Sequence, residues 1–218
     1  MDVEPVETPH ASRAPQQGRS RASYERMLAA AEALLMERGS DDFTLTEVSR
    51  MGKVSIGSIY CRFDSKDDLI RAVQVRALDI VNQEQVERLD RAGREAGDLH
   101  ALVLGVVDGV AETLRKHGPI LRPLMLRAAS DPVVATTGKA QYQVVADRVH
   151  ALLLSRRDEI AHRDAERAVH SVYRIIYATL ARYLGFGTAV GATWEGDWAE
   201  LKEDLGRMCA VFLLTPPR

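Results

Sequence analysis

Apolar residues recur at helical spacing along most of the chain. Met27, Ala30, Ala31, Leu34 and Leu35 form a stripe at positions i, i+3, i+4, i+7 and i+8. The sequence has no Asn-Gly hairpin signal and no sustained alternation of apolar and polar residues. The pattern therefore predicts an all-α protein.

Capping residues divide the first third of the chain into short helices. Gly39 is predicted to end the first helix, and Thr44 and Ser55 to cap a second and a third helix. Ser65 with Asp68 three residues later makes a variant of the capping box. That box is predicted to open a long fourth helix that runs towards residue 94.

The rest of the chain is predicted to be helical as well. Gly93 and Gly97 are expected to break the fourth helix, and a fifth helix to span about 98–117. Pro119, Pro123 and Pro132 are expected to separate short helical pieces. Further helices are predicted over about 136–156, 164–184 and 197–214.

Residues 1–22 are expected to form a disordered tail because they contain prolines and few large apolar side chains. Acidic residues come first, followed by Arg13, Arg19 and Arg21. Two interpretations stay open: a solvated tail, or a basic arm that reaches DNA phosphates or a minor groove.

Residues 44–63, TLTEVSRMGKVSIGSIYCRF, form the most informative segment. Two short helices joined by the turn Gly52-Lys53-Val54 have the geometry of a helix-turn-helix, whose second helix enters a major groove of DNA. Ile59 and Phe63 lie four residues apart and are predicted to anchor this second helix to the core.

With that face buried, Gly57, Ser58 and Arg62 must point outwards. Gly57 has no side chain to hold the helix away from a base, and hydroxyl groups and cations bind phosphates. Four cations (Arg50, Lys53, Arg62, Lys66) face Asp64 alone between residues 50 and 66. A solvated helix face could show the same charge, but beside this motif the charge favours a DNA-binding surface.

Residues 27–73 resemble the DNA-binding domain of the TetR family of bacterial transcriptional regulators. The matching pieces are AAAEALLMERG (29–39), FTLTEVS (43–49), VSIGSIYCRF (54–63) and SKDDLIRAV (65–73). The resemblance implies a DNA-binding domain over 23–70 and a larger helical effector-binding and dimerisation domain over 71–218. It implies phosphate contacts from Thr44, Tyr60, Arg62 and Lys66, base contacts near Thr46, Ile56, Gly57 and Ser58, and a capping role with a further phosphate contact for Ser55.

The chain departs from the family pattern at several positions. An Ala-Gly pair is usual where Gly52-Lys53 stands, so Lys53 is expected to adopt an uncommon backbone geometry. Ser49 is expected to hydrogen-bond back into the second helix. Ile56 suggests an apolar contact, such as with a thymine methyl group.

The resemblance further implies a two-fold dimer and a cavity for a small-molecule effector. The last two long helices would pair with their copies, and the interface residues expected there are Val172, Ile176, Leu180, Leu201, Leu205, Met208 and Phe212. The cavity would lie among the helices between about 98 and 184. Its expected lining combines apolar bulk with polar handles: Arg122, Met125, Tyr142, Arg148, His170, Tyr173 and Tyr177.

Composition limits the remaining possibilities. The net charge is −2, and the two cysteines form no metal or disulfide pattern. The N-terminus does not resemble a signal peptide and the apolar runs are too short to span a bilayer, so a cytoplasmic protein that needs no cofactor is expected. An enzyme is disfavoured by the lack of HExxH, P-loop and GxSxG motifs. The preferred hypothesis is a homodimeric repressor that binds a palindromic operator in double-stranded DNA; a DNA-bound architectural or ligand-independent regulator is the alternative.

Overall fold

The computed structural model describes residues 13–187 and 196–216, and this part of the chain is helical without a β-strand. The predicted all-α class is confirmed. None of the described helices is long and apolar enough to cross a membrane. The helices are α1 (Arg13–Arg38), α2 (Leu45–Gly52), α3 (Ile56–Tyr60), α4 (Lys66–Glu95), α5 (Leu99–Arg127), α6 (Pro132–Leu154), α7 (Ala165–Tyr183) and α8 (Trp198–Leu214), with a 3-10 turn at Arg157–Glu159.

Helix α1 begins ten residues before the end of the expected tail. Residues 13–22 are helical where disorder was predicted, and residues 1–12 lie outside the described residues. Pro15 falls in the first turn, where its missing N–H would have no partner within the helix in any case. The neighbouring Ala, Gln and Arg residues are good helix formers, so the basic second part of the expected tail extends α1.

The N-terminal domain packs α1, α2 and α3 around one apolar core. The predicted stripe of α1 is buried, as are Val54, Ile59 and Phe63. Leu69, Ile70 and Val73 of α4 and Ile120 and Leu124 of α5 complete the same core. Because its inner side chains are fixed there, α3 can present only its opposite side to a partner.

Helix α5 runs through the larger domain and packs against α4, α6, α7 and α8. The predicted breaks at Pro119 and Pro123 are wrong, since both prolines lie inside α5. Each proline costs the helix one hydrogen bond. The residues that directly follow the prolines, Ile120 and Leu124, are buried in the core of the N-terminal domain. Tertiary packing on both sides of α5 outweighs the local penalty.

The predicted break between the fourth and fifth helices is confirmed, because α4 ends at Glu95 and α5 begins at Leu99; Gly93 itself, however, lies inside α4. A Cβ added to Gly93 would lie 2.7 Å from Cδ2 of Leu152 in α6. The glycine therefore serves the close approach of two helices rather than the end of one.

An ion-pair network joins the two domains. Arg127, the last residue of α5, lies 2.6 Å from Oδ2 of Asp41 in the loop before α2 and 2.8 Å from Oδ1 of Asp67 in α4. Asp131, the buried N-cap of α6, lies 3.1 Å from Arg71 of α4. Burial alone would raise the pKa of Asp131, but the backbone N–H groups that it caps and the Arg71 guanidinium hold that pKa below its ordinary value.

Candidate nucleic-acid interface

The start of α2 is fixed by a complete capping box. The Thr44 hydroxyl accepts a hydrogen bond from the Glu47 N–H at 3.2 Å, and the Glu47 carboxylate accepts one from the Thr44 N–H at 2.8 Å. The Thr44 N–H, with help from Arg38, lowers the pKa of Glu47 to about 2, so this carboxylate is ionised at neutral pH. Thr44 and Thr46, at the start of α2, are both exposed.

The turn between α2 and α3 explains the displaced glycine. A Cβ on Gly52 would lie 3.0 Å from the carbonyl oxygen of Arg26, so α1 and α2 come too close for a larger residue. Lys53 adopts the left-handed conformation with φ 48° and ψ 49°, as expected from its sequence position. Ser49 differs from expectation, because its hydroxyl donates forward to the Val54 carbonyl at 2.6 Å instead of back into α2.

The outer surface of α3 carries few large side chains around Gly57, as predicted. Ser55 caps the helix by accepting a hydrogen bond from the Ser58 N–H at 3.1 Å. A Cβ built on Gly57 meets no atom within 4 Å. Ile56 and Tyr60 flank this open position and are 40% and 57% exposed. The geometry leaves room for a flat partner to approach the backbone at Gly57.

Two cations predicted to bind phosphates make internal contacts that the sequence did not reveal. Arg62 donates to the Ser20 carbonyl at 3.1 Å, and its guanidinium lies 5.5 Å from the centre of the Tyr24 ring. Lys66 donates to the Asp41 carbonyl at 2.7 Å. Arg62 remains exposed, whereas Lys66 is half-buried and also supports the loop before α2.

Arg21 is a candidate that residue-by-residue matching missed. It lies on α1 in the same surface depression as Arg62, together with Ser20 and Tyr24. The sequence showed Arg21 within a basic run of the tail. Because that tail was expected to be disordered, nothing in the sequence placed Arg21 next to Arg62. With Arg50 and Lys53, both exposed, it extends the positive charge around α3.

The larger domain contains a cavity of about 380 Å³ between α4, α5, α6 and α7. Four of the expected residues, Met125, Tyr142, Tyr173 and Tyr177, line it. Gln74, Asn82, Gln85 and Gln141 supply most of its polar groups, and none of these amides was predicted.

The expected charge partners of the cavity lie elsewhere. Arg122 donates to the Leu184 carbonyl at 3.0 Å, and Arg148 donates to Asp90 at 2.7 Å. His170 is exposed and lies against His150, with ring centres 3.7 Å apart. Helical spacing placed these residues on helices that line the cavity but could not show whether their side chains face it.

The outer surfaces of α7 and α8 also differ from expectation. Val172, Ile176, Leu180 and Leu205 are buried in the subunit's own core, and Leu201 is half-buried against it. The exposed apolar residues are Ile175, Met208, Val211, Phe212 and Leu214. Of the predicted interface residues, only Met208 and Phe212 are therefore exposed. On α7 the prediction failed because apolar residues occur on two sides of the helix, and the sequence does not show which side faces the core.

The capped turn, the buried inner side of α3 and its open outer side give residues 44–63 the geometry of a helix-turn-helix. Residues 27–73 match the family model of the bacterial regulatory proteins, tetR family. This match covers the helix-turn-helix, the second half of α1 and the start of α4. No curated protein sequence matches the chain.

Solved structures extend this likeness over nearly the whole chain. A candidate TetR-family transcriptional regulator from Mesorhizobium loti MAFF303099 shares 16% identity and superposes with a TM-score of 0.72 over 89% of this chain and 96% of its own. A tetR-family transcriptional regulator from Streptomyces coelicolor shares 24% identity with a TM-score of 0.63, over 88% of this chain and 80% of its own. A transcriptional regulator from Rhodococcus sp. Rha1 shares 19% sequence identity with a TM-score of 0.60, over 88% of this chain and 94% of its own. At these identities the likeness establishes the TetR fold.

Proposed function

We propose that the protein is a homodimeric repressor that binds a palindromic operator in double-stranded DNA and is released by a small-molecule effector. The observation that carries the proposal is the open position at Gly57, flanked by Ile56 and Tyr60, with the exposed cations Arg50, Lys53 and Arg62 close by in the chain. Such a surface suits direct approach to base edges, with phosphates bound around it. The proposed place of action is the bacterial nucleoid in the cytoplasm.

The proposed DNA contacts combine the family resemblance with the exposure of the side chains. Ile56, Gly57, Ser58 and Thr46 are proposed to lie nearest the bases. Thr44, Ser55, Tyr60, Arg62 and Lys66 are proposed to contact phosphates, with Arg21 added from the structure. Arg62 would exchange its contact with the Ser20 carbonyl for a phosphate, a stronger charge-assisted hydrogen bond.

Dimerisation is supported by the exposed apolar residues of α7 and α8. Ile175, Met208 and Val211 are 52%, 63% and 60% exposed. A cluster of such side chains on two adjacent helices is typical of a protein–protein interface. Two half-sites one turn of DNA apart lie about 34–36 Å from each other, and a two-fold dimer supplies the two copies of α3 that would bind them.

Effector control is supported by the place of the cavity. Its wall includes Gln74 of α4, the helix that follows the DNA-binding domain, and Met125 and Ala128 on either side of Arg127. A ligand that binds better to a DNA-incompetent arrangement shifts the population towards it. The Arg127–Asp41 ion pair is the proposed link between cavity and DNA-binding domain.

Selection of bound DNA from a random pool tests DNA recognition. The purified protein is expected to enrich an inverted repeat. Arg62→Ala is expected to weaken binding and to lower the slope of log affinity against log salt by about one, because one phosphate contact is lost. Tyr60→Phe, which removes only a hydroxyl group, is expected to weaken binding less.

Arg94→Ala is the matched control for the arginine variant, because Arg94 is exposed near the far end of α4. It is expected to leave affinity and salt slope unchanged. Absence of any enriched sequence would contradict the proposal, and uniform coating of DNA would favour the architectural alternative. Transcription in vitro from a promoter that overlaps the selected site is expected to fall when the protein is added; a rise would contradict repression.

A further inference from the structure

Gln74 holds an unsatisfied acceptor at the wall of the cavity. The side chain is 3% exposed, and its Nε2 donates to the Val134 carbonyl of α6 at 2.8 Å. A carbonyl can only accept, so this contact fixes the orientation of the amide. Oε1 has no hydrogen-bond partner in the described part of the chain. Because Oε1 is itself fully buried, a ligand donor reaches it only when the Gln74 amide turns towards the cavity; pairing the acceptor then favours a ligand that brings a donor.

Another part of the cavity wall is aromatic. Tyr142 stacks on Tyr173 with ring centres 5.3 Å apart and meets Tyr177 edge-on at 4.8 Å. Burial, together with the two neighbouring tyrosines, raises the pKa of Tyr173, so its phenol stays neutral. Flat rings pack well against such a wall because offset-stacked and edge-to-face arrangements are both favourable.

The cavity offers almost no charge to a ligand. Its described lining contains no carboxylate, and Lys139 on the exposed side of α6 is its single cation. The remaining residues are aliphatic, aromatic or amide. A cationic ligand would be buried without a counter-ion, which is strongly unfavourable. The volume of about 380 Å³ lies at the lower end of the range for small-molecule sites.

We propose that the cavity binds an uncharged, flat, largely apolar molecule of two or three rings whose hydroxyl or N–H group donates a hydrogen bond to Oε1 of Gln74. This inference rests on the proposed effector role of the same cavity and specifies the chemistry of the effector. Gln74 selects for the donor, and the tyrosine wall selects for the flat ring system.

Calorimetric titration of the DNA-free protein tests the ligand class with three naphthalenes. 2-Naphthol carries the donor, its methyl ether 2-methoxynaphthalene lacks it, and 2-naphthoate carries a negative charge. 2-Naphthol is expected to bind about tenfold more tightly than the ether, since the ether leaves Oε1 unpaired. 2-Naphthoate is expected to bind more weakly than 2-naphthol, because its carboxylate has no donor for Oε1 and only the exposed Lys139 could balance its charge.

The variant Gln74→Leu tests whether Oε1 of Gln74 causes the preference for 2-naphthol over its ether. In this variant 2-naphthol and its ether are expected to bind with similar affinities. Gln83→Leu is the matched control, because Gln83 lies exposed on the same helix outside the cavity lining. It is expected to retain the tenfold preference.

Three results would overturn the inference: no binding of 2-naphthol, equal binding of the ether to the wild-type protein, or a preference that survives in Gln74→Leu. If Gln74→Leu does not fold, the comparison on the wild-type protein still decides. Operator retention is measured separately with the same compounds. Binding of the expected pattern without release of DNA would support the ligand class and contradict the proposed effector role; release by compounds that lack a donor would support the role and contradict the class.

Discussion

Arg127 donates a 2.6 Å hydrogen bond to Asp41, which joins the last residue of α5 to the loop between α1 and α2. The same guanidinium lies 2.8 Å from Asp67 and 3.5 Å from Asp131. One cation thus serves three carboxylates from both domains. Since Met125 and Ala128, its near neighbours on α5, line the cavity, a change in the cavity wall has a short physical route to the DNA-binding domain.

Arg127→Leu is expected to lower the free energy of unfolding by about 2 kcal/mol, because it leaves carboxylates without their shared partner. Asp131 keeps Arg71, which limits the loss. Urea denaturation measures the change. Arg94→Leu, at an exposed arginine of α4, is the control and is expected to cost less than about 0.5 kcal/mol. Equal effects of the two variants would show that the network does not stabilise the contact between domains.

Two glycines of the helix-turn-helix are expected to respond in opposite ways to alanine. Gly52→Ala should lower the free energy of unfolding by about 1–2 kcal/mol, because its Cβ would press on the Arg26 carbonyl 3.0 Å away. Gly57→Ala meets no protein atom and should leave stability unchanged or raise it by about 0.5 kcal/mol.

Gly57→Ala, which should not lower stability, is expected to weaken operator binding. A methyl group there is expected to reduce affinity about tenfold, because it would stand between α3 and the bases. Denaturation and fluorescence anisotropy on the same samples separate the two effects. A Gly57→Ala variant with full affinity would contradict close approach of DNA at this position.

The helix-turn-helix could be predicted in detail because its signals are local. Thr44 and Ser55 cap helices within three residues of themselves, and Ile59 and Phe63 share a side of α3 by spacing alone. Even the unusual backbone of Lys53 followed from the position of one glycine. The true reason for Gly52, the approach of Arg26, is a tertiary contact and is not visible in the sequence.

The cavity and the outer surface of α7 and α8 could be predicted only in part. Apolar spacing places Val172 and Ile176 on one side of α7 and Ile175 next to them, but packing decides which side is inward. Gln74 gave no signal at all, since a glutamine in a long polar helix is usually solvated. Long-range packing likewise kept α5 continuous through Pro119.

Met208→Glu is expected to convert the proposed dimer into a monomer, because a charge would be buried in the apolar contact. Sedimentation equilibrium should then give a mass near 24.1 kDa instead of twice that value. The matched control is Val144→Glu on α6, an apolar residue that is 52% exposed and lies outside the two helices of the proposed interface. A dimer that survives Met208→Glu would place the interface elsewhere.

Glu84 is expected to stabilise the protein in a pH-dependent way. Its carboxylate accepts hydrogen bonds from Lys116 at 2.6 Å, His117 at 2.8 Å and Arg88 at 2.9 Å, and Lys116 foremost among them lowers its pKa from 4.5 to about 2. A lowered pKa in the folded state means that the contribution is complete above pH 4.5 and disappears as the pH falls towards 2.

Glu84→Gln should therefore cost about 1 kcal/mol near neutral pH, a modest value because these side chains stay partly solvated. The difference from the wild-type protein, measured by urea denaturation, should narrow below pH 4.5. Glu87→Gln, one turn along α4 and exposed, should show little difference at any pH. A Glu84→Gln difference that stays constant down to pH 3 would contradict this assignment.

Directed cleavage from Cys61 tests the central claim most directly. Cys61 follows α3 and is exposed, whereas Cys209 is buried and burial raises the pKa of its thiol to about 11, so a thiol reagent carrying iron-EDTA should label Cys61 selectively. On the selected operator, the labelled protein is expected to cut at two symmetric places about one turn of DNA apart. A control with Cys61→Ser and Arg94→Cys should not cut there. Cleavage absent from the labelled wild-type protein, or scattered evenly along the DNA, would contradict recognition by α3.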